Sequence, residues 1–211
     1  MTEPAGIAFD AFGTLFDLDA LSPMLGDAFE GFTSRLVPWT WLVTAAGSFR
    51  PLPEVAEAAA RAAGADDERV AGTLDALKRL PLKDDVLAGL DALRGRRLAV
   101  LSNGTTEGIQ ALVGNAGLSG RFEHLLTADQ VKRYKPAPEL YGLAASAFGV
   151  PLERVLLVSG NEWDVAAGRL SGMTTAWLAR GRELAPVLGV EPHIVADTLP
   201  ELAEKIERGA L

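Results

Sequence analysis

Asp10, Lys135 and Asp164 are the residues of this 211-residue chain best placed by type and spacing to do chemistry. Asp10 and Thr14 follow one apolar run, Ser102 and Asn103 a second, and Ser159, Asn161 and Asp164 a third. Lys135 sits between them in sequence, in the loop Tyr134-Lys135-Pro136. In an open parallel sheet, ligands sit beyond the carboxyl ends of the strands. Four separate segments therefore bring two carboxylates, one amine and several small polar groups to one edge. Each alone reads blandly, because strand ends are often polar and Ser-Asn-Gly is a common turn. Their joint placement at one sheet edge lowers the odds of that bland reading considerably.

The elements that must position these groups follow from hydrophobic periodicity. Residues 6–10, 98–102, 155–159, 173–178 and 193–196 form short continuous apolar runs. Runs without alternation predict strands buried on both faces of a parallel sheet. Helical spacing fills residues 84–94, 105–116, 138–148 and 162–170, with Gly117 and Gly149 as helix-terminating residues. Strand, turn and helix in repetition predict an α/β fold, a Rossmann-like doubly wound parallel sheet. Residues 18–80 break the rhythm with helical patterns alone, at 18–32, 34–46, 53–63 and 67–80, the last capped by Asp66. This predicts a discontinuous core of residues 1–17 and 81–211 with an inserted α-helical cap of residues 18–80.

Composition excludes several classes. Cysteine is absent, so no disulfide framework, zinc-thiolate site or cysteine nucleophile exists. A net charge of −8 argues against nucleic acid and anionic membrane surfaces as partners. No apolar run reaches the ~20 residues of a bilayer span, and residues 1–10 lack the basic and long apolar regions of a secretory signal. The expected compartment is the cytoplasm. His124 and His193 are far in sequence from the polar strand ends, and there is no Gly-x-Ser-x-Gly elbow, dinucleotide fingerprint or phosphate loop.

The motifs resemble those of the haloacid dehalogenase superfamily, over nearly the whole chain. Phe9-Asp10-Ala11-Phe12-Gly13-Thr14 is similar to its nucleophile loop, Ser102-Asn103-Gly104 to its second motif, Tyr134-Lys135-Pro136 to its third and the segment around Asp164 to its fourth. Phosphatases of this superfamily carry an aspartate two residues after the nucleophile, which protonates a leaving alkoxide. Here that position is Phe12, which transfers no proton. A halide departs as the anion of a strong acid and needs none. A general acid is worth ~10²–10⁴ in rate where the leaving group does need a proton. Ser159-Gly160-Asn161-Glu162-Trp163-Asp164 is similar to the fourth motif of the metal-independent (S)-2-haloacid dehalogenases, and Tyr141 and Thr40-Trp41-Leu42 fit the same branch.

The resemblance implies roles. Asp10 attacks the halogen-bearing carbon and forms an ester with the enzyme. Lys135 and Ser102 hold the carboxylates of Asp10 and substrate, and Asn103 cradles the halide. Phe12, Tyr141, Trp163 and Phe49 belong to the substrate pocket. Asp164, oriented by Lys135, Ser159, Asn161 and Thr14, helps water attack the ester. No cofactor and no metal ion are implied. The partner is a halogenated carboxylic acid, and exposed apolar cap residues offer a face for a homodimer. A cap arginine that draws the halide is also implied. Counting seven residues back from Thr40 reaches Thr33, with Arg35 two positions on, about 200° around a helix. Arg35 and Arg50 are the candidates, each equally readable as a solvated surface residue. A phosphatase of the same superfamily and a catalytically impaired binding protein are the alternative readings.

Overall fold

The computed structural model describes residues 3–183 and 185–209. Six strands form one parallel sheet: β1 (Gly6–Phe9), β2 (Leu98–Ser102), β3 (His124–Thr127), β4 (Val155–Ser159), β5 (Thr174–Leu178) and β6 (Ile194–Ala196). Their order is β3-β2-β1-β4-β5-β6. The chain runs outward from β1 in both directions, so the switch in strand order falls beside β1. Ala8 pairs with Ala99 of β2 on one side and Leu157 of β4 on the other. That register sets the carboxyl ends of the three central strands side by side, where the loops splay apart and leave a crevice. β1, β2 and β4 are buried along their whole length, as their unbroken apolar runs require.

Helices α5 (Val86–Ala92), α6 (Thr106–Asn115), α7 (Ala128–Val131), α8 (Pro138–Phe148), α9 (Glu162–Leu170) and α10 (Leu199–Glu207) flank the sheet. α8 starts with Pro138 at its first position and ends at Gly149, whose φ of 66° places it in the left-handed region that favours glycine. Between β1 and the core helices lie α1 (Ser22–Leu25), α2 (Phe29–Ala45), α3 (Leu52–Ala62) and α4 (Asp67–Ala76), with 3₁₀ turns at Leu18–Leu21 and Gly26–Ala28. The alanines of α3 serve close packing: Ala56, Ala59 and Ala60 are buried, and a Cβ on Gly31 of α2 would stand 2.9 Å from that of Ala63. The two connections to this helical segment pair with each other. Phe16 bridges Leu82, Asp17 N donates to Pro81 O, and Lys83 Nζ meets Asp17 Oδ1 at 2.6 Å.

The structure corrects the expected helix break after residue 32. α2 runs through it, with Pro38 inside the helix. Thr33 Oγ1 donates to Phe29 O and Glu30 O and Ser34 Oγ to Gly31 O, so these hydroxyls are satisfied within one continuous helix. The expected helix at residues 18–32 is instead broken into short turns up to Ala28. No helix among the described residues is long and apolar enough to cross a membrane.

Candidate active site

β1 ends at Phe9, and Asp10 follows with its N–H held by Val158 O of β4. Gly13 then turns back with φ 78°, its N–H donating to Phe16 O, which folds residues 11–16 into a tight loop over the strand end. The Asp10 side chain is buried, 8 % exposed. Lys135 Nζ donates to Asp10 Oδ1 at 2.9 Å. Thr14 Oγ1 and Asn161 Nδ2 donate to Asp10 Oδ2 at 2.7 and 2.9 Å. Lys135 is fully buried, and its ammonium also meets Asp164 Oδ2 at 2.9 Å. Asp164, in the first turn of α9, receives the Tyr141 hydroxyl on its other oxygen at 2.7 Å.

Two carboxylates and one ammonium leave the cluster with one net negative charge. An ammonium has three donors, and carboxylates take two of them here. Burial pushes the Asp10 carboxyl up from the ordinary 3.8, with Lys135 opposing and Asp164 reinforcing the rise. Burial pulls the Lys135 ammonium down, but the Asp10 and Asp164 carboxylates outweigh it and hold the amine above its ordinary 10.5. Burial, with help from Asp164, keeps the Tyr141 phenol protonated well above 10.0, so it acts as a fixed donor.

The remaining expected residues fall into three groups. Ser102, Asn103 and Ser159 shape the loops that carry the cluster. Ser102 Oγ accepts the Gly104 N–H, Ser159 Oγ accepts the Asn161 N–H, and Asn103 Oδ1 accepts the Lys135 N–H at 2.8 Å. Thr14 and Asn161 donate to Asp10, not to the Asp164 carboxylate that the resemblance implies they orient. Aromatic residues form the second group. Phe49 stacks on Tyr134 at 5.1 Å, and Trp163 meets Trp41 of α2 edge-on at 5.6 Å. Phe12 lines a cavity of about 380 Å³ with Leu52, Leu74, Leu77, Gly104 and Ile109, between α3, α4 and the start of α6.

The cap arginines are the third group. Arg35 Nη1 folds back on α2 and donates to Gly31 O at 2.7 Å, with no bond to the Asp10 cluster. The expected position Thr33 likewise bonds within its own helix. Arg50 offers its backbone carbonyl to the Tyr134 hydroxyl at 2.6 Å. Arg180 and Arg182, absent from the sequence expectations, do reach the site's loops. Arg180 Nη2 donates to Thr14 O at 2.8 Å, and Arg182 Nη2 to Gly160 O at 2.5 Å. The only sequence signal for them is their place just after the apolar run of β5.

The profile of the haloacid dehalogenase-like hydrolases matches residues 4–172, a span that holds every member of this cluster. The chain belongs to the haloacid dehalogenase-like hydrolases. Among the family it is similar to the (S)-2-haloacid dehalogenase of Pseudomonas sp. strain YL, 35% identical over 97% of this chain and 95% of that protein. The haloacetate dehalogenase H-2 of Moraxella sp. strain B is 30% identical over 98% and 99%. A crystal structure of an L-2-haloacid dehalogenase superposes with a TM-score of 0.91 at 30% identity, covering 98% of this chain and 100% of the other. The family fold is equally plain against the L-2-haloacid dehalogenase of Xanthobacter autotrophicus, with a TM-score of 0.90 at 24% identity over 97% and 98%.

Proposed function

We propose that the protein is a hydrolytic dehalogenase of short 2-haloacids, acting without a metal ion. The observation that carries this is the environment of Asp10: a buried carboxylate held by three donors, with a benzyl ring at the position where an alkoxide-releasing enzyme needs an acid. One Asp10 oxygen forms a bond to C2 of the substrate while the carbon–halogen bond breaks and its electron pair leaves on the halide. The carbon is inverted, and no proton is called for. The third donor of Lys135, the Ser102 loop and the Asn103 amide receive the substrate carboxylate and the halide. Water then attacks the ester carbonyl and gives a proton to Asp164. The adduct collapses by breaking the bond between the Asp10 carboxyl carbon and its original oxygen, which takes that proton back from Asp164 and leaves in the 2-hydroxy acid. The new Asp10 carboxyl releases its remaining proton to solvent. Lys135 and Tyr141 hold Asp164 for that step.

A magnesium ion, bound by a distant structural relative of the same fold from Bacillus subtilis, does not fit these residues. Lys135 Nζ already lies between the two carboxylates, 2.9 Å from each. The other two carboxylate oxygens accept Thr14, Asn161 and Tyr141 donors, and no group of three or more acidic, histidine or cysteine side chains converges among the described residues. We assign residues 18–80 as the cap, joined to the core where Phe16 meets Leu82, and its helices as the walls that keep water from the crevice.

The test is halide release from 2-chloropropionate and chloroacetate, with and without a chelator, beside phosphate release from p-nitrophenyl phosphate. Chelator-insensitive halide release supports the proposal. Magnesium-dependent phosphate release with no halide contradicts it and favours a phosphatase. The pH profile is a second expected outcome. The nucleophile must be ionised, so the acid limb of kcat/KM lies above 3.8, where an unburied aspartate titrates. The alkaline limb lies above 10.5, because Lys135 keeps its proton beyond that value. Kinetics across the acid and alkaline ranges check both limbs.

A further inference from the structure

We propose that Arg180 and Arg182 are positioning residues that strap the Asp10 loop and the β4–α9 loop together from behind. The inference rests on Asp10 being the nucleophile. The two loops already touch. Gly160 N donates to Thr14 Oγ1 at 2.9 Å, and a Cβ on Gly160 would stand 2.7 Å from Gly13 O. Asn161 ties them again, its Nδ2 donating to both Asp10 Oδ2 and Phe12 O. These bonds fix the loops to each other but anchor neither to the rest of the core.

The segment after β5 supplies a further anchor, beside those that Val158, Leu82 and Lys83 give the Asp10 loop. Arg180 Nη2 donates to Thr14 O at 2.8 Å, while the same guanidinium grips Asp85 through Nε and Nη2. Asp85, just before α5, also accepts the Leu199 N–H at the start of α10 at 2.8 Å. A chain of bonds therefore runs from two core helices through Arg180 to Thr14, and from Thr14 Oγ1 to Asp10 Oδ2. Arg180 adopts φ 50°, left-handed backbone that a non-glycine residue occupies at a cost. The turn is held there by Arg182 N to Ala179 O and by Gly181 N to Asp197 Oδ1. Arg182 reaches the other loop: its Nη2 donates to Gly160 O and Leu178 O, over the Trp177 ring whose Nε1 also donates to Gly160 O. One arginine thus holds the backbone on each side of the contact between the loops.

Neither arginine bonds the reacting oxygen, so their effect is on its placement. An ångström of misplacement is worth as much as about 100-fold in rate. Arg180→Ala and Arg182→Ala are therefore expected to lower kcat for halide release by about 10- to 100-fold while KM stays within about twofold. Arg180 lines an open surface pocket with Asp17, Lys83 and Asp197, so millimolar guanidinium can enter the vacated place. It is expected to restore part of kcat in Arg180→Ala and to leave the wild type unchanged. Hydrogen exchange in peptides covering residues 11–16 and 160–161 should quicken in both variants, with the β2 strand unaffected.

Unchanged kcat in both variants would overturn the proposal, as would a loss accompanied by faster exchange throughout the sheet. If Arg180→Ala fails to fold, Arg182→Ala decides alone, because Arg182 is an exposed residue whose guanidinium reaches inward to Gly160. A wild-type protein that releases no halide would contradict the functional reading instead. The exchange measurement would then still decide whether the arginines hold these loops.

Discussion

Asp10→Asn should release no measurable halide, a loss of at least about 10⁴-fold in kcat, because an amide oxygen is a far weaker nucleophile than a carboxylate. The fold should survive. The amide keeps the shape of the side chain, and its carbonyl still accepts a bond from Lys135 or Thr14. Charge also favours survival: the cluster passes from one net negative charge to none, as Asp164 and Lys135 now balance. Ion chromatography of halide alongside urea unfolding checks both halves. An inactive protein with a near-normal unfolding midpoint is the expected pair of results.

Lys135→Met removes the same interaction from the other side and should do the opposite to stability. Asp10 and Asp164 are then buried together with no cation between them. Breaking a buried ion pair by removing one partner costs about 3–5 kcal/mol, because the remaining charge is left uncompensated. One of the two carboxylates should take up a proton, so the variant regains stability as the pH falls through that raised value. In the wild type, Lys135 has its pKa raised on folding, so its contribution is fully present below 10.5 and is lost as the pH rises through the higher folded value. The stability gap between wild type and variant should therefore be widest in the neutral range and narrow towards both acid and alkali. Urea unfolding across that range measures it. Activity should be lost as completely as in Asp10→Asn, since the protonated carboxyl cannot serve as nucleophile or base.

Much of this molecule is legible in its residues. The apolar runs of β1, β2 and β4 have no alternation because both faces of the central sheet are covered, and that signal survives in sequence alone. α8 and α9 span the residues that helical spacing predicts for them. β3 leaves almost no trace: it is a short edge strand, half-buried at His124 and Leu125, with an apolar pair too brief to stand out. α10 does carry a pattern, for Leu199, Leu202, Ala203 and Ile206 follow helical spacing behind a Thr198 cap, although the expected elements end at the β6 run. Within the site, residue type and spacing place Asp10, Lys135 and Asp164 at strand ends but do not say which oxygen meets which donor. The ties from Thr14 to Gly160 and from Asn161 to Asp10 depend on loops more than 140 residues apart in sequence. Arg180 and Arg182 show in sequence only by their place after the β5 run, for a related reason. Their targets at the site are backbone carbonyls, which leave no trace in residue type.

The proposed halide site meets the same limit. Arg35 is a candidate by its place near Thr40, yet its hydrogen bond is to its own helix. The proposed receivers of the halide and carboxylate are the Lys135 ammonium and the Asn103 amide. The Asn103 Oδ1 bond to the Lys135 N–H ties the second loop to the backbone of the third.

A single turnover in oxygen-18 water, with enzyme in excess over 2-chloropropionate, tests the nucleophilic role of Asp10 most directly. If the ester forms on Asp10, mass analysis finds the heavy oxygen in the peptide that contains Asp10, and the first equivalent of lactate carries none. Heavy oxygen in the lactate hydroxyl with an unlabelled peptide would mean that water attacked the carbon itself, and the ester route would be wrong.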